Sequence, residues 1–237
     1  MTSIRAENLY KSFGRLRVLD NISFAIQPGT VTAIIGPNAS GKSTLIKSVL
    51  GLVRPDSGNI YVDDEPVKGH WQYRQRIGYM PQIARFPENL KVGELLRMVM
   101  DIRGVSTLTD EELLSEFNLN ELMHRPLRVL SGGTRQKINA AIAFMFSPGV
   151  LILDEPTAGL DPISITILKD KIQREQDAGK TVVLTSHNMH EVDEMADHIL
   201  FLLDGRTCFD GSVLTLKEST AQRKLERAIV TLMENNQ

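Results

Sequence analysis

Short apolar runs bounded by Gly, Pro, Asn and Asp recur along the chain. Residues 31–35 form one run that ends at Gly36, and residues 150–153 form another that ends at Asp154. Residues 181–185 and 198–203 form two more. Each is too short for a helix and rich in Val, Ile and Leu, which is how strands covered on both faces of a parallel sheet read. Helix-compatible stretches lie between them, at 41–52 and 163–177. Strands alternating with helices predict an α/β fold whose sheet is wound by crossover connections.

Two regions break this rhythm. Within 3–64 the apolar positions alternate, as in Ile22, Phe24, Ile26 and in Ile60, Val62, which predicts antiparallel strands beside the main sheet. Between 88 and 146 the spacing is helical: Val92, Leu95, Leu96 and Val99, then Leu113, Leu114, Phe117, Leu119 and Leu122. This predicts a single domain over 1–237, with a helical subdomain at 88–146 inserted into a core built from 1–87 and 147–215. After Gly211 the pattern predicts one C-terminal helix over 216–237, with Leu225, Ile229 and Leu232 on one face packing against its own domain. No internal repeat or low-complexity tract is present.

Composition narrows the class. The chain has 237 residues, 42% hydrophobic and 24% charged, the balance of an ordinary globular domain. The net charge of -2 argues against a protein that grips nucleic acid, so no nucleic-acid partner is expected. No apolar run approaches the roughly 18 residues that span a bilayer, and residues 1–8 are polar and mixed in charge, unlike a secretory signal. The expected place is therefore cytoplasmic, with any membrane role exercised by docking. Cys208, the single cysteine, reads as a small half-buried residue. His70, His124 and His198 show no ligand spacing with it, so no structural metal is expected.

Residues 36–44 read Gly36-Pro37-Asn38-Ala39-Ser40-Gly41-Lys42-Ser43-Thr44, the G-x-x-x-x-G-K-[ST] pattern of a P-loop. An apolar run precedes it and a helix-compatible stretch follows, the context the motif requires. Such a loop wraps a polyphosphate with backbone N–H groups, and a helix N-terminus adds positive potential. Lys42 reaches the β- and γ-phosphates, and Ser43 offers its hydroxyl to Mg²⁺. Residues 150–155 place two carboxylates, Asp154 and Glu155, at the end of a buried run. Ligands sit beyond the carboxyl ends of such strands. Asp154 is then the Mg²⁺ partner, and Glu155 the residue that orients or deprotonates the attacking water. Read this far, the chain is a nucleoside triphosphatase that takes Mg²⁺.

Residues 130–137, Leu-Ser-Gly-Gly-Thr-Arg-Gln-Lys, resemble the Leu-Ser-Gly-Gly-Gln signature of ATP-binding cassette (ABC) proteins. Other parts of the cassette pattern follow in order over roughly residues 4–210. Phe13 resembles the aromatic that stacks on adenine. Gln82, after Gly-Tyr-Met-Pro, resembles the glutamine that touches Mg²⁺ and couples to the membrane partner. Gly159, Leu160 and Asp161 resemble the D-loop, and His187 the switch histidine near the γ-phosphate. The resemblance implies a P-loop NTPase (RecA-like) core with an antiparallel β subdomain and an inserted helical subdomain. Its implied ligands are ATP and Mg²⁺, with Ser131, Gly132 and Gly133 as a second phosphate-binding device. It also implies a head-to-tail homodimer closed by ATP and an integral membrane permease, which would hold the chain at the inner face of the cell membrane.

Thr134 departs from the pattern, standing where the family most often has Gln. Two readings stay open, tuning of the signature helix and plain tolerance. The local sequences around 133–137, 158–162 and 186–192 resemble exporter-type cassettes that serve six-helix permeases, and within them the ATPase of nitrous oxide reductase maturation, a copper-site assembly system. The competing class is a cassette ATPase acting on DNA or the ribosome. The first carries a long coiled coil that this chain lacks, and the second carries two cassettes in one chain. Trp71 and Tyr73 receive no functional account.

Overall fold

The two kinds of apolar pattern separate into two sheets. In the computed structural model, which describes residues 3–234, the chain opens with β1 (Ile4–Phe13), β2 (Leu16–Ile26), β3 (Val31–Ile35), α1 (Lys42–Val49), β4 (Ser57–Val62), β5 (Glu65–Pro66) and β6 (Ile77–Met80). The helices α2 (Val92–Arg103), α3 (Glu112–Glu116) and α4 (Gly132–Phe144) follow. Then come β7 (Val150–Asp154), α5 (Pro162–Asp177), β8 (Thr181–Thr185), α6 (Met189–Met195), β9 (His198–Leu203) and β10 (Arg206–Ser212). The last elements are α7 (Val213–Ser219) and α8 (Leu225–Glu234).

The alternating segments form an antiparallel sheet in the order β2-β1-β4-β5, with Ile4 opposite Ile26 on one side and Val62 on the other. The continuous apolar runs form a six-stranded sheet, β10-β9-β3-β8-β7-β6. It is parallel except for β10, which returns antiparallel along β9. The sequence reading did not anticipate β10, whose residues are half-buried and mixed. The Asp204-Gly205 turn that makes it has positive φ at both residues, 46° and 77°, as a two-residue hairpin with right-handed twist demands.

Both faces of the larger sheet are covered, which explains why most of its parallel strands read as dominantly apolar runs. Period-2 side chains divide between two cores. Ile34, Val150, Ile152, Val183 and Leu200 face the antiparallel sheet with α1 between (Leu45, Ile46, Val49). Val31, Ala33, Leu151, Leu153, Val182, Leu184 and Phe201 face the helices on the other side, among them Leu95 of α2, Phe144 of α4 and Leu168 of α5. At about 25 cal/mol per Å² of buried apolar surface, each such side chain contributes roughly 1.5–3 kcal/mol.

The single helix expected over 216–237 is two helices. Lys217, Glu218 and Ser219 end α7, where Ala221 turns left-handed at φ 53° and Gln222 N donates to Lys217 O at 2.9 Å. That six-to-one bond closes the helix as a Schellman end does, so α8 starts afresh. Leu225 and Ile229 are buried as expected, Leu232 packs partly buried against them, and residues 235–237 lie outside the described residues, as do Met1 and Thr2 of the polar N-terminus. No helix among the described residues is long and apolar enough to cross a membrane.

Candidate functional site

The carboxyl ends of β3 and β7 lie one strand apart, with β8 between them, and this brings the P-loop and the acidic pair to one edge of the sheet. Residues 36–41 curl tightly between β3 and α1. A Cβ on Gly36 would lie 2.1 Å from Leu202 O, and one on Gly41, at φ 104°, would lie 2.7 Å from Val18 O. The backbone of both residues must therefore be bare. Gly41 leads into α1 with no side-chain cap, which leaves the first N–H groups of the helix directed into the loop. Ser40 is buried and its Oγ has no hydrogen-bond partner among the described residues. A cradle closed to any Cβ, with inward N–H groups and an orphaned hydroxyl, fits a polyphosphate.

Lys42 is folded over this loop. Its Nζ donates to Gly36 O at 2.6 Å and Pro37 O at 2.9 Å. Burial draws its pKa down, opposed by the nearby negative charges of Glu155 and Asp154. Ser43 is exposed, Thr44 half-buried, and Asn38 and Ala39 are exposed at the tip of the loop.

Asp154 and Glu155 are held by Thr185. Asp154 and Thr185 are register partners in the parallel pairing of β7 with β8. Thr185 Oγ1 donates to Asp154 Oδ1 at 2.5 Å and accepts from Glu155 N at 3.0 Å. Glu155 sits at φ 51°, a left-handed conformation uncommon for a non-glycine residue. Its Oε2 accepts from His187 N at 3.3 Å, and its Oε1 lies 3.3 Å from His187 Nε2 without the alignment of a hydrogen bond. Burial raises the Glu155 pKa above its ordinary value, a rise that Asp154 adds to and that His187 and Lys42 oppose. A desolvated carboxylate beside a cation and a partly exposed imidazole is a combination suited to handling a water proton.

The remaining residues singled out in the sequence fall around this centre or at a distance from it. Phe13 ends β1 and is 52% exposed, with Lys11 Nζ 5.3 Å from its ring centroid. Gln82 is exposed just past β6, and the preceding Pro81 O accepts from Asn139 Nδ2 of α4 at 2.8 Å. Ser131 caps α4: its Oγ accepts from Thr134 N at 3.2 Å and lies 2.9 Å from Thr134 Oγ1. Gly132 and Gly133 form the first turn of that helix. Asp161, expected at the nucleotide, is engaged within the chain. It caps α5 through Ser164 N and Ser164 Oγ, and Lys137 Nζ pairs with it at 2.8 Å, which holds its carboxyl well below the usual range.

Among the described residues no hydrogen bond or ion pair joins 36–44 to 131–137, and the two stretches open different helices, α1 and α4. The sequence reading missed Thr185, Asn139 and Glu191. Glu191, at the start of α6, is 8% exposed and accepts from Thr157 Oγ1 at 2.7 Å, fixing the segment after Glu155. Nothing in a single sequence marks these as special, because each acts through a neighbour that the fold supplies.

Comparison with known proteins gives a consistent result. A family model described as "ABC transporter" matches residues 19–158. The lantibiotic transport ATP-binding protein SrtF of Streptococcus pyogenes is 36% identical over 215 residues, covering 88% of this chain and 92% of that protein. The lipopolysaccharide export system ATP-binding protein LptB of Escherichia coli K12 is 33% identical over 220 residues, covering 90% and 91%. A solved structure described as an ATP-binding subunit of an ABC transporter superposes with a TM-score of 0.90 at 28% identity, covering 98% of this chain and all of that one.

Proposed function

Since the chain belongs to the ABC transporter family as an ATP-binding subunit, an ATPase coupled to transport, we propose that it is the motor of an exporter. Two copies close head to tail around two ATP and drive a separate integral membrane permease, which brings the chain to the inner face of the cell membrane. The observation that carries this reading is the separation of two anion-binding devices within one chain, the P-loop at 36–44 and the capped N-terminus of α4 at 131–133. A two-fold pair satisfies both at once, because such an interface is self-complementary.

Residue roles follow from the geometry. The 36–44 backbone grips the phosphates and Lys42 supplies the cation for the β- and γ-groups. Ser43, Gln82 and Asp154 would hold Mg²⁺, which when bound neutralises charge on the phosphate oxygens. Glu155 orients the attacking water and accepts its proton, with His187 holding its carboxylate. Phe13 offers a ring face to adenine. Ser131, Gly132 and Gly133 approach the nucleotide held by the other copy. Asp161 fixes the D-loop beside the nucleotide through its contacts with Ser164 and Lys137. The names of the two relatives, lantibiotic transport and lipopolysaccharide export, support an export direction. Neither supports the narrower copper-site expectation.

The test uses full-length Glu155→Gln as tagged bait, loaded with ATP and Mg²⁺, on detergent-solubilised membranes of the source organism. The expected result is an integral membrane protein recovered in a two-to-two ratio. Recovery of soluble protein, DNA or ribosomes alone would leave the nucleotide chemistry standing and remove the transporter partner.

A further inference from the structure

We infer that Thr134 is a positioning residue for Ser131. Its hydroxyl donates to Ser131 Oγ and so directs the serine's own proton outward, toward a phosphate oxygen on the second copy. The inference rests on the head-to-tail reading above.

A serine hydroxyl has one proton and two lone pairs. At the start of α4 Thr134 N donates to Ser131 Oγ at 3.2 Å, and the hydroxyls of Thr134 and Ser131 lie 2.9 Å apart, a pair in which either oxygen can donate. No other side-chain hydrogen bond engages Thr134 among the described residues. With Thr134 as the donor of that pair, both lone pairs of Ser131 are filled by one residue, and its remaining capacity is its O–H. Ser131 is exposed, so that O–H faces whatever approaches the helix N-terminus. Thr134 occupies the third helical position. A Gln or Glu there, as in a capping box, reaches back to the backbone N–H of the cap residue and leaves the cap hydroxyl with a lone pair open. A threonine is too short for that reach and bonds the hydroxyl itself. A Thr where the family most often has Gln therefore fixes the direction of the cap hydroxyl's single proton instead of leaving it free to rotate.

The chain contains its own control. At the start of α7, Ser212 Oγ lies 2.8 Å from Thr215 Oγ1 and accepts from Thr215 N at 3.0 Å. The same Ser-x-x-Thr arrangement there caps a helix outside the candidate site, so a role limited to capping predicts similar losses of stability at both places.

The measurement is ATP-dependent dimerisation by light scattering in the full chain carrying Glu155→Gln, together with the ATP dependence of hydrolysis in the chain without it. Thr134→Val is expected to raise the ATP concentration for half-maximal dimerisation roughly 3- to 10-fold, the worth of one hydrogen bond. KM should rise with little change in kcat. Thr134→Ser should restore both, and Thr215→Val should leave both unchanged. In a Ser131→Ala background, Thr134→Val should add nothing further. Equal and small effects of Thr134→Val and Thr215→Val would overturn the inference and leave only capping. An unchanged Ser131→Ala variant would instead remove the head-to-tail reading, and the inference with it. Should Thr134→Val fail to fold, Thr134→Ala carries the same comparison against Thr215→Ala.

Discussion

Replacing Thr185 by Val isolates the contact that fixes the acidic pair. Thr185 is 1% exposed, and valine keeps its shape while removing one hydroxyl. Two bonds are lost. The first is the donation to Asp154 Oδ1 at 2.5 Å, a hydrogen bond to a charged acceptor of the kind that contributes about 1.5–3 kcal/mol. The second is the acceptance from Glu155 N, which is not left orphaned because that N–H also reaches Thr185 O at 3.2 Å. The hydroxyl's own burial penalty disappears with it, so the net loss of stability is about 2 kcal/mol. Urea unfolding followed by circular dichroism should show that loss as a lower midpoint with an unchanged slope. Glu155 would be freer to leave its left-handed conformation, and kcat should fall about tenfold, equivalent to about 1.4 kcal/mol at the transition state. Thr185→Ser should retain both stability and rate. A Thr185→Val chain within about 0.5 kcal/mol of the parent, with kcat intact, would refute the assignment of Thr185 as the anchor of this pair.

Two further outcomes follow from buried charge. Lys171 of α5 is 3% exposed and hydrogen-bonded to Asp110, Glu112 and Glu175, whose bonds outweigh the downward pull of burial and hold its pKa above the ordinary value. Lys171→Met should destabilise the chain by about 3 kcal/mol. This is the low end for a broken buried pair, because Lys180 still faces Glu175 and Arg174 still faces Glu112; a midpoint shift worth less than about 1 kcal/mol would contradict it. The Glu155 pKa is raised chiefly by burial, so its deprotonated form is lost earlier on acidification and ATPase activity should fall with an apparent pKa above the ordinary 4.5. A raised carboxyl pKa stabilises the fold only below the unfolded value and loses that contribution as pH rises through the folded value. Glu155→Gln should therefore raise the urea midpoint at pH 7, with the gain vanishing near pH 4, and a gain that persists at pH 4 would refute burial as the cause.

The buried strands and the P-loop were legible because their signals are local. Val31–Ile35 and Val150–Asp154 announce themselves by short, dominantly aliphatic runs, and residues 36–44 by a fixed spacing whose bare positions the fold then requires. What was not legible depends on register and tertiary context. Thr185 matters because the sheet sets it opposite Asp154. Lys171 reads as a surface residue of a charged helix and is buried because Asp110, just ahead of α3, and Glu112, its first residue, close onto it. Strand β10 was hidden by its half-polar composition, although Asp204-Gly205 carried the hairpin signal. The break between α7 and α8 turns on Ala221 adopting a left-handed conformation that alanine rarely takes, so no glycine marked it.

The bond from Asn139 to Pro81 gives α4 the mechanics of a lever. Asn139 is eight residues from the Ser131 cap, about 12 Å along the helix axis at 1.5 Å per residue. A tilt of about 5° about the Pro81 contact displaces the Ser131 tip by about 1 Å. That distance carries a hydroxyl from hydrogen-bonding reach of a phosphate oxygen to outside it. On the proposed head-to-tail pairing, small movements of the segment leading to Gln82 would therefore be enough to engage or release the far end of the signature helix, with no rearrangement of the sheet that carries the P-loop.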